Sequence, residues 1–296
     1  MLRQNPHYKN LSQKWTARLR KSRENLWNKH KESLEWLVDS SRQLAVGSLG
    51  GLLFLAGPRV SLLPPPPLLI ANEKVTAKDI DKSVFLISDL SLLLPHEVRA
   101  LTDREEQKVA DILSRAFGFP VKAELYGKRL NRSYGLIGLE QHLARFPGDT
   151  MYSHFDTQEE VKKYWADGMA SGLGAWRYFA PSKEAMSEKD KLREKYYIAV
   201  QTFLVPDYNQ RVTEYRDFFK YRKMLVVNPV NGKAIVAVIG DAGPAEWTGK
   251  HLGGSPEVMK HLERVDGRQR GPVLYFFIDD PNDTIPLGPI EAIVLS

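Results

Sequence analysis

Two apolar, β-branched runs, residues 224–228 and 233–239, dominate the pattern of the C-terminal third and read as buried strands. Asn231-Gly232 lies between them and favours a tight turn with positive φ at both central positions, so the spacing predicts a β-hairpin. The second run leads directly into Asp241-Ala242-Gly243-Pro244, a carboxylate at a strand end followed by a shaped loop. Trp247, Thr248, Gly249, Lys250 and His251 then form a polar and aromatic patch that a hairpin alone does not require. Ser255-Pro256-Glu257 carries the signature of a helix start, with Val258, Met259 and Leu262 on one apolar face. Residues 196–205 and 273–278 are further apolar strand candidates, and residues 285–295 could add one more pairing.

Upstream the period changes from two to three or four. Thr102 and Glu105 form a capping box that opens a helix with Val109, Ile112, Leu113, Ala116 and Phe117 on one face, closed by Gly118 and Pro120. Residues 131–145 read as a second helix through Leu136, Leu139 and Leu143, although Gly135 and Gly138 weaken it. Thr157 and Glu160 open a third, so residues 90–166 are expected to be a helical region. Residues 168–180, rich in Gly and aromatics, read as loop or strand, residues 187–195 as a charged helix, and residues 207–220 as a polar excursion. There is no internal repeat.

The N-terminal pattern is different again. Residues 1–43 are amphipathic, with leucines and Trp15, Trp27 and Trp36 among Lys and Arg, as in helices that lie at a membrane interface. Residues 44–63 are apolar apart from Arg59 and approach the ~20 residues of a spanning helix. A cleaved signal peptide or a buried helix would also fit; the long basic region before this segment favours an uncleaved anchor with an exported C-terminal part. Residues 64–89 begin with four prolines and read as a stiff linker. Ten basic and four acidic residues precede Leu44, so this tail carries the whole net charge of +6. The remainder is neutral, which argues against nucleic acid as a partner. The composition is that of a globular protein, and the absence of Cys excludes disulfides and thiol chemistry.

The order of strand, Asn-Gly hairpin, strand, Asp-x-Gly-Pro, loop and Ser-capped helix resembles double-psi β-barrels of the rare lipoprotein A and expansin type. The resemblance implies an α+β chain whose residues 167–296 form a six-stranded double-psi barrel acting on cell-wall glycans, peptidoglycan foremost. One position departs from the family pattern: Gly253-Gly254-Ser255 stands where the family carries Asp-Leu-Ser, so the cap is kept and the second carboxylate is missing.

Asp241 matches the Asp of the Asp-x-Gly-Pro motif and is the candidate catalytic acid. A half-buried carboxyl can hold a proton near neutral pH and deliver it to a leaving glycosidic oxygen. With one carboxylate the reaction is expected to be lytic transglycosylation, in which the sugar's own 6-hydroxyl closes an anhydro ring. Glu246 and His251 are candidate partners, His251 standing where expansin-like members carry a site His. Trp247, Trp176 and Tyr178 could stack on sugar rings, with Gly243 and Thr248 lining the substrate path. The rival readings are a non-catalytic glycan-binding module and an intracellular interaction protein. Gln141, His142, Arg145, Asp149 and His154 make a polar group, but no His-Glu-x-x-His or comparable spacing appears, so neither metal nor cofactor is expected.

Overall fold

The computed structural model describes residues 83–264 and 271–293. The expected basic helix and membrane anchor, residues 1–43 and 44–63, lie outside these, as do residues 64–82 of the expected Pro-rich linker, whose remaining residues 83–89 are helical rather than an extended spacer. No helix among the described residues is long and apolar enough to cross a membrane.

The fold is mixed α+β around a closed β-barrel. In chain order the elements are α1 (Ser83–Leu93), α2 (Asp103–Phe117), β1 (Val121–Lys122), β2 (Glu124–Leu125), β3 (Lys128–Arg129), β4 (Tyr134–Leu139), α3 (Met151–His154), α4 (Gln158–Tyr164), α5 (Glu188–Lys195) and β5 (Tyr197–Val200). They continue as α6 (Val212–Phe219), β6 (Lys223–Val227), β7 (Ala234–Ala242), β8 (Leu252–Gly254), α7 (Pro256–His261), β9 (Gly271–Ile278) and β10 (Gly288–Ile290). Six strands close the ring in the order β4, β9, β6, β7, β5, β8 and back to β4. The β4–β8 and β5–β7 pairs are parallel and the other four are antiparallel.

Alternation along β6 shows why these strands read as unbroken apolar runs. Met224 and Val226 join the barrel interior, with Ile137, Ile198, Ile235 and Tyr275. Leu225 and Val227 point outward into a second core, against Leu86 and Leu90 of α1 and Val109 and Leu113 of α2. Both faces are buried, so no polar alternation remains to be seen. α2 forms as expected: Thr102 caps Glu105, the capping box is complete, and Gly118 ends the helix in the left-handed region at φ 76°.

Three further expectations need correction. Residues 131–145 are not a helix, because β4 occupies Tyr134–Leu139 and supplies a barrel strand from within the supposed helical region. The two glycines are the reason: a Cβ at Gly135 would lie 2.8 Å from His251 Cβ, and one at Gly138 would lie 2.3 Å from Lys250 Cδ. They admit neighbouring chains over a strand, a role glycine often has in sheets. The Asn231-Gly232 pair does not make a two-residue turn. The loop closes between Asn228 and Lys233, and only Gly232 takes positive φ, at 71°. Residues 196–205 form a shorter strand than expected, since β5 ends at Val200 and a 3-10 turn follows at Thr202–Leu204.

Asp280 clamps the chain after β9. Its buried carboxylate accepts from Lys223 Nζ at 2.6 Å, Ile285 N at 2.9 Å and Thr284 N at 2.9 Å. Burial opposes the charge, but these donors outweigh it and lower the pKa to about 2. A depressed folded-state pKa contributes stability above the unfolded value of about 3.9, and that contribution is lost as pH falls toward 2. Asp280→Asn is therefore expected to lower the urea midpoint at pH 6 and to narrow its deficit from wild type between pH 4 and 2. A constant deficit across that range would contradict the assignment.

Candidate active site

Asp241 sits on the last turn of pairing in β7, where the strand runs parallel to β5 past a bulge at Ile198/Ala199. Its Oδ1 accepts from Ala175 N at 2.6 Å and Ala242 N at 2.7 Å. Ala175 belongs to residues 168–180, which fold over the strand end. A Cβ at Gly174 would stand 3.3 Å from the carboxyl, so the loop approaches closely. No described residue donates to Oδ2. Burial pushes the Asp241 carboxyl above the usual carboxylate range, against the pull of the two backbone donors.

A second carboxylate lies within electrostatic reach of it, across β5. Glu140 follows β4 directly, and its backbone N donates to Gly254 O at 2.8 Å. Its Oε1 accepts from Lys250 Nζ at 2.6 Å, while the same ammonium reaches Leu139 O at 3.0 Å. A Cβ at Gly253 would lie 2.2 Å from both Cγ and Oε1 of Glu140. The space that a side chain at position 253 would fill is thus taken by Glu140. Burial raises the Glu140 pKa, the Lys250 pair opposes that rise, and the charge of Asp241 adds to it.

The other expected residues divide. Trp247 is 89 % exposed on the loop after Asp241 and free to present an apolar face. Glu246 is exposed in the same 3-10 turn, and Thr248 Oγ1 donates to Ala245 O at 2.7 Å, which shapes that turn. Gly243 N donates to Val200 O at 3.0 Å, tying the loop to β5. Tyr178 is partly exposed. Trp176 is not a sugar platform: it is buried in the barrel core, with Nε1 donating to Ile239 O at 3.1 Å. His251 does not meet Asp241. Its Nδ1 accepts from Leu136 N at 2.9 Å, and its own N donates to Leu136 O at 2.9 Å, so it fastens β4. Burial lowers the His251 pKa, and nearby Arg132 lowers it further.

No protein-family model, curated protein or solved structure matches the chain.

Three features of this candidate site were hidden from sequence reasoning: Glu140, its pairing with Lys250, and Gln201. Glu140 and Lys250 are distant in the chain, and the signal that could have joined them is the glycine pair Gly138 and Gly253, which clears the strand surface under their side chains. Gln201 is the third. Its buried Nε2 donates to Pro244 O at 3.0 Å and Lys250 O at 3.3 Å, and so sets both ends of the Trp247 loop.

Apart from this site, His142, His154 and Glu194 place ligand atoms within 4.8 Å of one another, all buried. Asp149 accepts from His154 Nδ1 at 2.9 Å and from Arg145 Nε at 3.2 Å. Burial disfavours a charged His154, but Asp149 and Glu194 more than compensate and lift its pKa to about 9. Burial alone would raise Glu194, yet the two histidines hold it well below the usual range. Burial pushes Glu257 up to about 7 despite the opposing effect of His142. His142 and His154 belonged to the polar group visible in the sequence; Glu194 and Glu257 did not, being read as part of a charged helix and as a first-turn acid.

Proposed function

We propose that this chain cleaves cell-wall glycan, with peptidoglycan as substrate, by lytic transglycosylation on a double-psi β-barrel. The observation that carries the reading is Asp241: a carboxyl with one oxygen fixed by two backbone N–H groups, the other open, and a pKa raised by burial. Such a group can donate a proton to the bridging oxygen as the C1–O4 bond breaks. The sugar's 6-hydroxyl then attacks C1, and its proton returns to Asp241, so no second base is consumed. Glu140, held by Lys250, supplies negative charge beside the cationic carbon that forms on the way. It stands in for the carboxylate that the family pattern would put at position 253. A mixed parallel and antiparallel six-stranded ring is compatible with the double-psi arrangement. Residues 44–63 would hold the chain at the cell membrane, with the barrel outside.

A non-catalytic glycan-binding module is the second reading, favoured by one observation: His251 is committed to the backbone of β4 and unpaired with Asp241. Incubation with purified sacculi separates the two. The enzyme releases soluble anhydro-ended muropeptides, whereas the module only pellets with the sacculi. In both readings Trp247→Ala is expected to weaken co-sedimentation by about 1–3 kcal/mol, roughly 5- to 150-fold, with an unchanged melting temperature. Unaltered sedimentation would remove Trp247 from the glycan surface.

A further inference from the structure

We propose that His142, His154, Glu194 and Glu257 bind one divalent transition-metal ion, with zinc the best match, and that the ion fastens four separate elements at one end of the barrel. His142 follows β4, His154 ends α3, Glu194 lies in α5 and Glu257 in α7. The ligands therefore share no sequence spacing, which is why motif reading finds no site.

The unpartnered atoms define the position. His142 is fully buried, and neither of its ring nitrogens has a hydrogen-bond partner; the buried Glu257 Oε2 has none either. His142 Nδ1 faces Glu194 Oε1 at 3.5 Å and Glu257 Oε2 at 4.0 Å, while His154 Nε2 faces Glu194 Oε2 at 3.1 Å. A tetrahedral ion with bonds of about 2.0–2.2 Å keeps its donors about 3.4 Å apart. These three separations lie around that value and two exceed a normal hydrogen bond, while the cluster as a whole spans up to 4.8 Å and Glu194 Oε1 also accepts from Leu143 N at 2.9 Å, so an ion would draw the donors inward.

The surroundings have the form of a ligand shell. Asp149 Oδ2 takes the Nδ1–H of His154 at 2.9 Å and is itself held by Arg145, so His154 Nε2 is turned toward Glu194 and the common point. Metal binding requires both imidazoles neutral, so His154 would give up the proton that Asp149 and Glu194 now hold; Asp149, Glu194 and Glu257 against Arg145 then leave two formal negative charges, which a divalent cation balances. Two imidazoles with carboxylates suit zinc better than calcium or magnesium, which prefer oxygen alone. His142, His154 and Glu194 already place their ligand atoms within 4.8 Å of one another, and Glu257 Oε2, 4.0 Å from His142 Nδ1, closes in as the fourth donor, which makes the site a structural one. It lies beside Glu140 in sequence yet does not depend on the glycan reading, and a chain that cleaves nothing could still bind the ion.

The test uses the full chain, tag-free, first assayed for metal content as purified and then dialysed against chelator. Zinc alone, and cobalt alone as a spectroscopic probe, are titrated into the stripped protein. The expected results are one metal equivalent per chain, sub-micromolar affinity, the visible bands of four-coordinate cobalt, and a melting temperature that rises with zinc. His142→Leu should abolish the zinc-dependent rise. Asp149→Asn, which leaves the four ligands in place, should weaken zinc binding by about 10- to 100-fold. Stripped wild-type protein that is folded by circular dichroism yet takes up neither ion overturns the proposal. So does a His142→Leu variant that keeps the full zinc effect. Should His142→Leu fail to fold, Asp149→Asn decides: unchanged affinity overturns the site, and weakened affinity supports it.

Discussion

Asp241→Asn is expected to reduce release of anhydro-ended muropeptides from sacculi by about 10²- to 10⁴-fold, the range a positioned general acid contributes. The substitution is close to isosteric. The retained oxygen can still accept from Ala175 N and Ala242 N, so the loop over the strand end should stay in place and the melting temperature should change little. What is lost is the second oxygen, the one with no protein partner. An amide there cannot deliver a proton to the bridging oxygen. Because burial raises the Asp241 pKa, the wild-type rate should fall on the alkaline side as the acid ionises. Chromatography of the soluble fragments across pH measures both effects. A variant with undiminished release would move the acid elsewhere; a wild type that releases nothing while pelleting with sacculi would leave the binding module as the function.

Most of the local frame of Asp241 was legible. The apolar runs of β6, β7 and β9, the Asp241 strand end and the Ser255 cap are all short-range patterns, fixed by residues within a few positions of one another. The second carboxylate was not legible. Glu140 reaches its place because Gly253 has no side chain, and Lys250 crosses Gly138 to meet it. Those are contacts between β4 and the chain near β8, more than a hundred residues away, and no local period encodes them. Gly253 reads in the sequence as a departure from the family that the hairpin region resembles; in three dimensions the space above it is filled by Glu140.

The same distinction explains the error over β4. Leu136, Leu139 and Leu143 keep helical spacing by coincidence, while the glycines between them are required by His251 and Lys250 packing across the strand. Residues 207–220 were misread for the opposite reason. Arg211, Glu214, Arg216, Asp217 and Lys220 give the segment a polar average, and the three aromatics on one face of α6 disappear into it.

That face supplies the second large effect. Phe219→Ala is expected to destabilise the fold by about 3–5 kcal/mol, the usual cost of truncating a fully buried aromatic. Phe219 is completely buried and belongs to the barrel core rather than to a surface loop. Its ring lies 5.9 Å from Tyr215 and 6.4 Å from Phe277 in stacked orientation, and 5.1 Å from Phe218 edge-on. Tyr215 and Phe218 come from α6 itself, but Phe277 is on β9, so the cluster is what seats the helix on the ring of strands. Truncation leaves a void between elements that cannot collapse, since β9 is held on both sides by β4 and β6. At about 2–4 °C per kcal/mol for a domain of this size, the melting temperature should fall by roughly 10 °C. Val212, on the same helix but 39 % exposed, serves as the control: Val212→Ala should shift the transition by no more than about 0.5 kcal/mol. Equal losses from the two substitutions would mean that α6 rests on the surface and that the aromatic cluster does not bind it to the barrel.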